Sequence, residues 1–246
     1  MKWGRLYGAD YVNVLYNSSR SKITGDFRFV CLTDDPTGIN KDVETYPIPD
    51  IGLEEKHWRR GCWPKISLFK EDLHGLQGRA LFIDLDTVLW GEMDAFFTFS
   101  DGFVALDSRP WRYKSGPPRT MSSIFAFDIG SMNYLVEQLM DARDMLISKH
   151  DIEQNYIAEA AKHISYWPDE WIRSFKYHLR QPLILDRFRS PKQPDPQTKA
   201  LCFHGKPRPI DLIIPPKSNW DVFPHYGKGE VAWMVGYWLR NGGSIQ

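Results

Sequence analysis

Two aspartates two residues apart, Asp84 and Asp86, close the apolar run Arg79-Ala80-Leu81-Phe82-Ile83. Residues i and i+2 of a strand point to the same side, so both carboxylates could converge on one divalent cation. A second constellation follows the short apolar run Ala200-Leu201-Cys202-Phe203, where His204-Gly205-Lys206-Pro207 places an imidazole and an ammonium around a glycine. Carboxylate oxygens and an imidazole form a donor set that Mn²⁺ accepts readily, and Mg²⁺ takes the oxygens. Lys206 could reach phosphate oxygens, and Gly205 would let the backbone approach closely. These parts explain one another if the ligand is a nucleotide sugar. Its diphosphate leaving group needs a metal and a cation to stabilise charge as the glycosidic bond breaks.

Elements of α/β type must hold these groups. Tyr7, Tyr11, Val14, Leu15 and Ser18 fall on a helical stripe, and the apolar run 27–33 then reads as a strand ending in the turn Asp34-Asp35-Pro36-Thr37-Gly38. A strand over 43–48 follows. Pro64 opens a helix on which Ile66, Phe69 and Leu73 share a face. The strand carrying Asp84 and Asp86 reads as a central strand of a parallel sheet, whose carboxyl ends are where open α/β sheets bind ligands. Beyond it lie an apolar segment over 93–99 and strands over 102–106 and 123–128. The loop 108–120, rich in Pro, Arg and Gly, is of the length that usually serves function. Ser131 is placed to cap a long helix through Ser148, and Asp151 one through Ala161. Periodicity fades over 167–196. The last helix, 229–240, carries Val231, Met234, Val235 and Trp238 on one stripe.

Lys+Arg and Asp+Glu both total 31, so no whole-molecule field draws this protein to nucleic acid or anionic lipid. Its 10 Trp, 11 Tyr and 14 Phe could fill a core or stack against sugars and bases. Three cysteines without C-x-x-C spacing, with Cys31 and Cys202 inside apolar runs, point to reduced thiols and a cytoplasmic, soluble protein. No apolar stretch is long enough for a transmembrane segment. Trp233, Tyr237, Trp238 and Arg240 could touch a bilayer interface, but their short stripe fits core packing better.

The chain resembles GT-A-fold glycosyltransferases, and is most similar to the glycosyltransferase family 8-like bacterial proteins, over nearly its full length. The resemblance rests on Trp3-Gly4-x-x-Tyr7, the run from Phe29 to Thr33 with Asp34-Asp35, Lys65, Asp84-x-Asp86, Glu153-Gln154 and His204-Gly205-Lys206-Pro207. It implies a single catalytic domain with a mostly parallel central sheet flanked by helices. Residues 1–107 would bind the nucleotide, 108–199 the sugar and acceptor, and 200–246 would supply the metal and phosphate motif and a closing helix. Asp84, Asp86 and His204 would then hold Mn²⁺ or Mg²⁺, Lys206 would contact the diphosphate, and Tyr7 would lie against a base, uracil. Trp3, Gly4, Thr33 and Gly205 belong to the same nucleotide side. Lys65 would approach the donor, Ser122, Ser123 and Gln154 would line the sugar pocket, and Glu153 with Gln154 would stand at the reacting centre. The resemblance also implies transfer to a glycan or glycolipid hydroxyl with retention of configuration. Three departures fall at the sugar and phosphate side: Met121 before Ser122-Ser123, Glu153 in place of the usual Asp, and a compressed lysine motif.

Two rivals use the same residues. Phe82 to Val88 also fits the first motif of haloacid-dehalogenase-like phosphatases, with Asp84 as nucleophile and Asp86 as acid/base. A non-catalytic module binding sugar nucleotides or glycans would keep the aromatic surfaces alone. One further expectation concerns Trp3-Gly4 and Tyr7, which resemble residues just after the first GT-A strand yet follow almost directly on Met1. An internal first strand of roughly five apolar residues is therefore expected upstream of Met1.

Overall fold

The computed structural model describes residues 1–245. Helix α1 (Ala9–Lys22) buries Tyr11, Val14, Leu15 and Ser18 as its stripe requires, with Asp10 in its first turn and Arg20 and Lys22 in its last, each sign complementing the helix dipole. Strands β1 (Val30–Leu32) and β2 (Glu44–Tyr46) follow, then a short helix α2 (Glu55–Trp58). The helix expected from Pro64 is a 3₁₀ segment, Trp63–Phe69, every residue of which is buried, and Leu73 lies beyond it. Next come β3 (Arg79–Ile83), β4 (Val88–Leu89), α3 (Ala95–Thr98), β5 (Val104–Asp107) and the nine-residue β6 (Thr120–Asp128). The helix expected over 131–148 is two, α4 (Asn133–Asp141) and α5 (Arg143–His150), because Ala142 leaves helical geometry at φ −133°. Helix α6 (Glu153–Ala160) starts from Ile152, not from Asp151, which has φ +53°. Neither expected cap bonds a helical N–H with its side chain. Strands β7 (Ser165–Tyr166), β8 (Ile172–Ser174) and β9 (Ala200–Cys202) precede α7 (Pro209–Ile213) and α8 (Ala232–Arg240).

The architecture is mixed α/β, and the sheets are mixed, which corrects the expectation of a mostly parallel central sheet. Four strands run in the order β3-β6-β5-β7, with β6 antiparallel to both β3 and β5 and β7 parallel to β5. Strands β4-β9-β8 form a second sheet, and β1 and β2 pair in parallel as a third. The long β6 dictates this arrangement. Its alternate residues feed opposite cores, Ile124 and Ala126 facing α1 and α8, Phe125 and Phe127 packing with the 3₁₀ segment, α4 and α6. With both faces covered, its run 124–127 is apolar throughout.

Helix α8 closes the first core. Met234, Tyr237 and Trp238 are buried, Trp233 stacks edge-on against Trp90, and the Tyr237 hydroxyl accepts the Leu89 N–H. Its aromatics therefore serve packing. Among the described residues, no helix is long and apolar enough to cross a membrane.

Candidate active site

Strand β3 ends at Ile83, so Asp84 and Asp86 stand in the turn that follows it and not on the strand itself. The Asp84 N–H still donates to Ser123 O at 2.8 Å, continuing the β3–β6 ladder, and the Thr87 N–H closes the turn onto Asp84 O at 3.0 Å. A turn, not strand alternation, thus presents the two carboxylates, and the charge of Asp84 acts on Asp86. Cys202, at the end of β9, is buried close enough that both carboxylates help to push its thiol up, after burial itself.

Around this turn, residues from distant parts of the sequence join in one polar network. The Lys65 ammonium, buried in the 3₁₀ segment, meets Asp84 at 2.8 Å, Glu153 at 3.6 Å, and Ser122 O and Oγ at 3.3 Å. Ser122 Oγ in turn donates to Glu153 Oε1, and the Tyr7 hydroxyl donates to Asp86 Oδ2 at 2.7 Å. Burial opposes the charge on Lys65, but Asp84 and Glu153 outweigh it and hold the ammonium above its ordinary value. Glu153 is raised by its own burial, since it shares Lys65 with Asp84 and gains only partial relief. Asp86 is pushed up to about 7, first by burial and then by the facing charge of Asp84, against the pull of Tyr7 and Lys65. Tyr7 is raised for the complementary reason: burial, and the carboxylate it donates to.

Beside the network lies a cavity of about 440 Å³ lined by Trp111, Arg112, Arg119, Gln154, Tyr177 and His204 among others. The two share a wall, because Ser122 and Glu153 belong to the network while their neighbours Met121 and Gln154 line the cavity. His204 packs against Trp111 and Tyr177, ring centroids 5.8 and 5.6 Å away, in a three-ring cluster in which Trp111 and Tyr177 also touch at 6.4 Å, and its Nε2 lies 2.7 Å from Ser174 Oγ. Burial, followed by Lys176, Arg112 and Arg180, pushes its imidazole down to about 4, so the ring is neutral. Arg112 lies over Tyr177 and Arg119 over Tyr113, leaving the cavity rimmed by cations on aromatic supports.

The expected site residues divide into those brought together and those left apart. Tyr7, Lys65, Asp84, Asp86, Ser122 and Glu153 form the network, and Gln154 and His204 share the cavity. Glu153 turns inward, only 3% exposed, which leaves Gln154 as the member of the pair that lines the cavity. Ser123 is buried and serves the β3–β6 ladder through its carbonyl. Trp3, Gly4 and Thr33 stay outside the network: the Trp3 indole donates to Trp58 O at 3.1 Å, Gly4 N–H to Asp34 at 2.8 Å, and Thr33 pairs with Lys2. Gly205 adopts φ +74°, which a side chain would resist, and Lys206 beside it is exposed. His204 does not close on Asp84 and Asp86. Among the described residues, the only trio whose ligand atoms lie within 4.8 Å of one another is Glu54, His57 and Asp144. There the carboxylates already pair with Lys56 and Arg143.

Trp111, Arg112, Ser174 and Tyr177 were not singled out from the sequence. The first two lie in the Pro, Arg and Gly-rich loop whose length signalled function. Ser174 and Tyr177 fall in the stretch without periodicity, where no pattern distinguishes them. No protein-family model matches the chain, and no curated protein matches it.

Proposed function

We propose that this chain is a glycosyltransferase that moves a sugar from a nucleoside diphosphate donor, a UDP-sugar, to a glycan or other hydroxyl acceptor with retention of configuration. The observation that carries this reading is the single network of Tyr7, Lys65, Asp84, Asp86, Ser122 and Glu153, sharing a wall with an aromatic cavity that holds Gln154 and His204. A divalent cation fits the donor set, because Asp86 is driven toward protonation by the burial of two facing carboxylates, a cost that a cation removes. Asp84 and Asp86 would hold Mn²⁺ or Mg²⁺, which when bound supplies positive charge to the diphosphate leaving group.

This chain's own residues account for the rest. Lys65 keeps the Asp84 carboxylate oriented toward the turn, and Tyr7 does the same for Asp86. Lys206, on the exposed turn after β9, offers a mobile ammonium for the diphosphate. Trp111 and Tyr177 present flat apolar faces to sugar rings, and the Gln154 amide positions the transferred sugar by hydrogen bonding.

The test is release of UDP from a panel of UDP-sugars with Mn²⁺ and mixed hydroxyl acceptors. Activity should fall at least 100-fold in Asp86→Asn while that variant's thermal stability stays equal or rises, since the substitution removes a repelling charge. UDP-sugar turnover unaffected by Asp86→Asn and by a chelator would overturn the reading, as would hydrolysis of small phosphomonoesters in its place. An NMR assignment of the product anomer as inverted would remove retention.

A further inference from the structure

Half of the large hydrophobic side chains exposed among the described residues fall in two short stretches, 183–188 and 214–226. Phe188 and Phe223 are the most exposed of all, at 74% and 73%, followed by Ile184, and Leu183, Val222 and Tyr226 are open to solvent with them. Two contacts onto buried carboxylates hold the loops together. The Arg180 guanidinium, at the base of the first loop, pairs with Asp221 on the second, and His225 Nδ1 of the second lies 3.0 Å from Asp186 Oδ2 of the first. Asp186 also accepts the Gln181 N–H at 2.8 Å, and the Phe223 and Tyr226 rings meet edge-on at 5.9 Å. Ile184 holds φ +75°, a region that a β-branched residue avoids, so the backbone carries strain in presenting this side chain to solvent.

The same two contacts remove negative charge from this surface. From 180 to 192 and from 214 to 228 the only acidic residues are Asp186 and Asp221, and both are buried. Arg187, Arg189, Lys192, Lys217 and Lys228 are all exposed, and among the described residues none of the five forms an ion pair. The face therefore sets apolar tips among unneutralised cations. Clustered apolar exposure of this kind marks an interaction site. Protein–protein interfaces are depleted of lysine, whereas a bilayer interface takes aliphatic and aromatic tips into the acyl boundary while Lys and Arg meet anionic headgroups. Because the whole chain carries no net charge, an anionic surface would draw this face and not the molecule at large.

We propose that this face docks on the surface of an anionic phospholipid bilayer, with Ile184, Phe188 and Phe223 entering the acyl boundary and the five cations meeting the headgroups. Both parts are needed. Exposed cations alone act over only about 8 Å at physiological ionic strength, and apolar tips alone do not choose between lipids. The first loop continues from the helical turn Phe175–Leu179, whose Tyr177 lines the cavity beside the acidic network, so docking holds that cavity close to the membrane. The docking surface is independent of the catalytic reading.

The test is flotation of the whole chain with vesicles of equimolar phosphatidylglycerol and phosphatidylcholine, set against vesicles of phosphatidylcholine alone. Binding should be at least tenfold tighter to the anionic vesicles and should fall at least tenfold in about 0.5 M salt. Two sets of substitutions should each weaken it at least tenfold: Phe188→Ser with Phe223→Ser, and Arg187→Gln with Arg189→Gln and Lys217→Gln. Their Tm should stay unchanged, because every altered side chain is exposed. Ile184→Gly carries the apolar arm if the serine variant misfolds, since glycine accepts φ +75°. Binding to neither vesicle, equal binding to both, or anionic binding undiminished by the apolar substitutions would overturn the proposal. So would a dimer in gel filtration that Phe188→Ser with Phe223→Ser dissociates in the absence of vesicles, which would give the face to a second copy of this chain.

Discussion

Lys65 is the side chain on which the acidic network depends. It is 4% exposed and is shared by the half-buried Asp84 and the buried Glu153, so its loss leaves two carboxylates without their cation. Breaking a buried pair in this way costs about 3–5 kcal/mol, and Lys65→Met should lose that much in urea unfolding. Adding Glu153→Gln should recover part of it, because an amide still accepts the Ser122 hydroxyl without a charge. A Lys65→Met variant as stable as the parent would show that water compensates the acids instead. Cys62 reports on the same potential. Its surface is open to solvent, yet close packing around the sulfur pushes the thiol up to about 11, opposed by Lys65 and reinforced by Glu153, Asp84 and Asp86. Only the thiolate is nucleophilic, so alkylation of the native protein should occur at Cys62 alone and accelerate about tenfold per pH unit between 7 and 10. Mass spectrometry of the labelled peptides checks this, with Cys31 and Cys202 reacting only after denaturation because both are buried. A Cys62 rate that levels off between about pH 9 and 10 would show an unperturbed thiol.

At the scale of elements, the start of α6 decides where Gln154 points. That start lacks a side-chain cap and is held instead by the Glu153 N–H donating to Gly61 O at 2.9 Å. Gly61 sits at φ +76°, and a Cβ there would meet Asp151 O at 2.6 Å and Trp63 Nε1 at 2.7 Å. Gly61→Ala should therefore cost about 1–3 kcal/mol through strain, and donor turnover should fall further than Tm does, because the helix carrying Glu153 and Gln154 must shift. A crystal structure of the variant with α6 unmoved would sink that account. The same helix shows what the sequence conceals. Asp151 has the chemistry of a cap, but tertiary contact with Gly61 overrides it, and the Ala142 break divides a run whose apolar spacing continues across it. By contrast α1 and α8 are legible, since their stripes coincide with burial, and β3 falls on its apolar run although only Phe82 of that strand is buried. Asp84 and Asp86 were expected on a strand, whereas a turn closed by Thr87 carries both residues.

Over the whole molecule, the network and cavity gather segments that no single sheet contains. Tyr7 precedes α1, Asp84 and Asp86 follow β3, Gln154 begins α6 and His204 follows β9, so two of the sheets meet through this site. Individual motifs reveal such residues, but their distances depend on how the sheets stack, which neither spacing nor periodicity encodes. That is why His204 was expected on the cation and is found instead packed against Trp111 and Tyr177. A ligand spanning the site should stabilise the fold globally, since it binds only when these segments are assembled. UDP with Mn²⁺ at 100 times its Kd should contribute about 2.7 kcal/mol and raise Tm accordingly. Neither component alone should match that rise, because the diphosphate would meet two facing carboxylates without the cation, and the cation would lack half of its oxygen donors without the diphosphate. Chelation should reverse the shift, and Asp86→Asn should abolish it. A shift of the same size with UDP and chelator together would place nucleotide binding on Lys206 and the Arg112–Arg119 rim alone, and would detach the acidic turn from the donor.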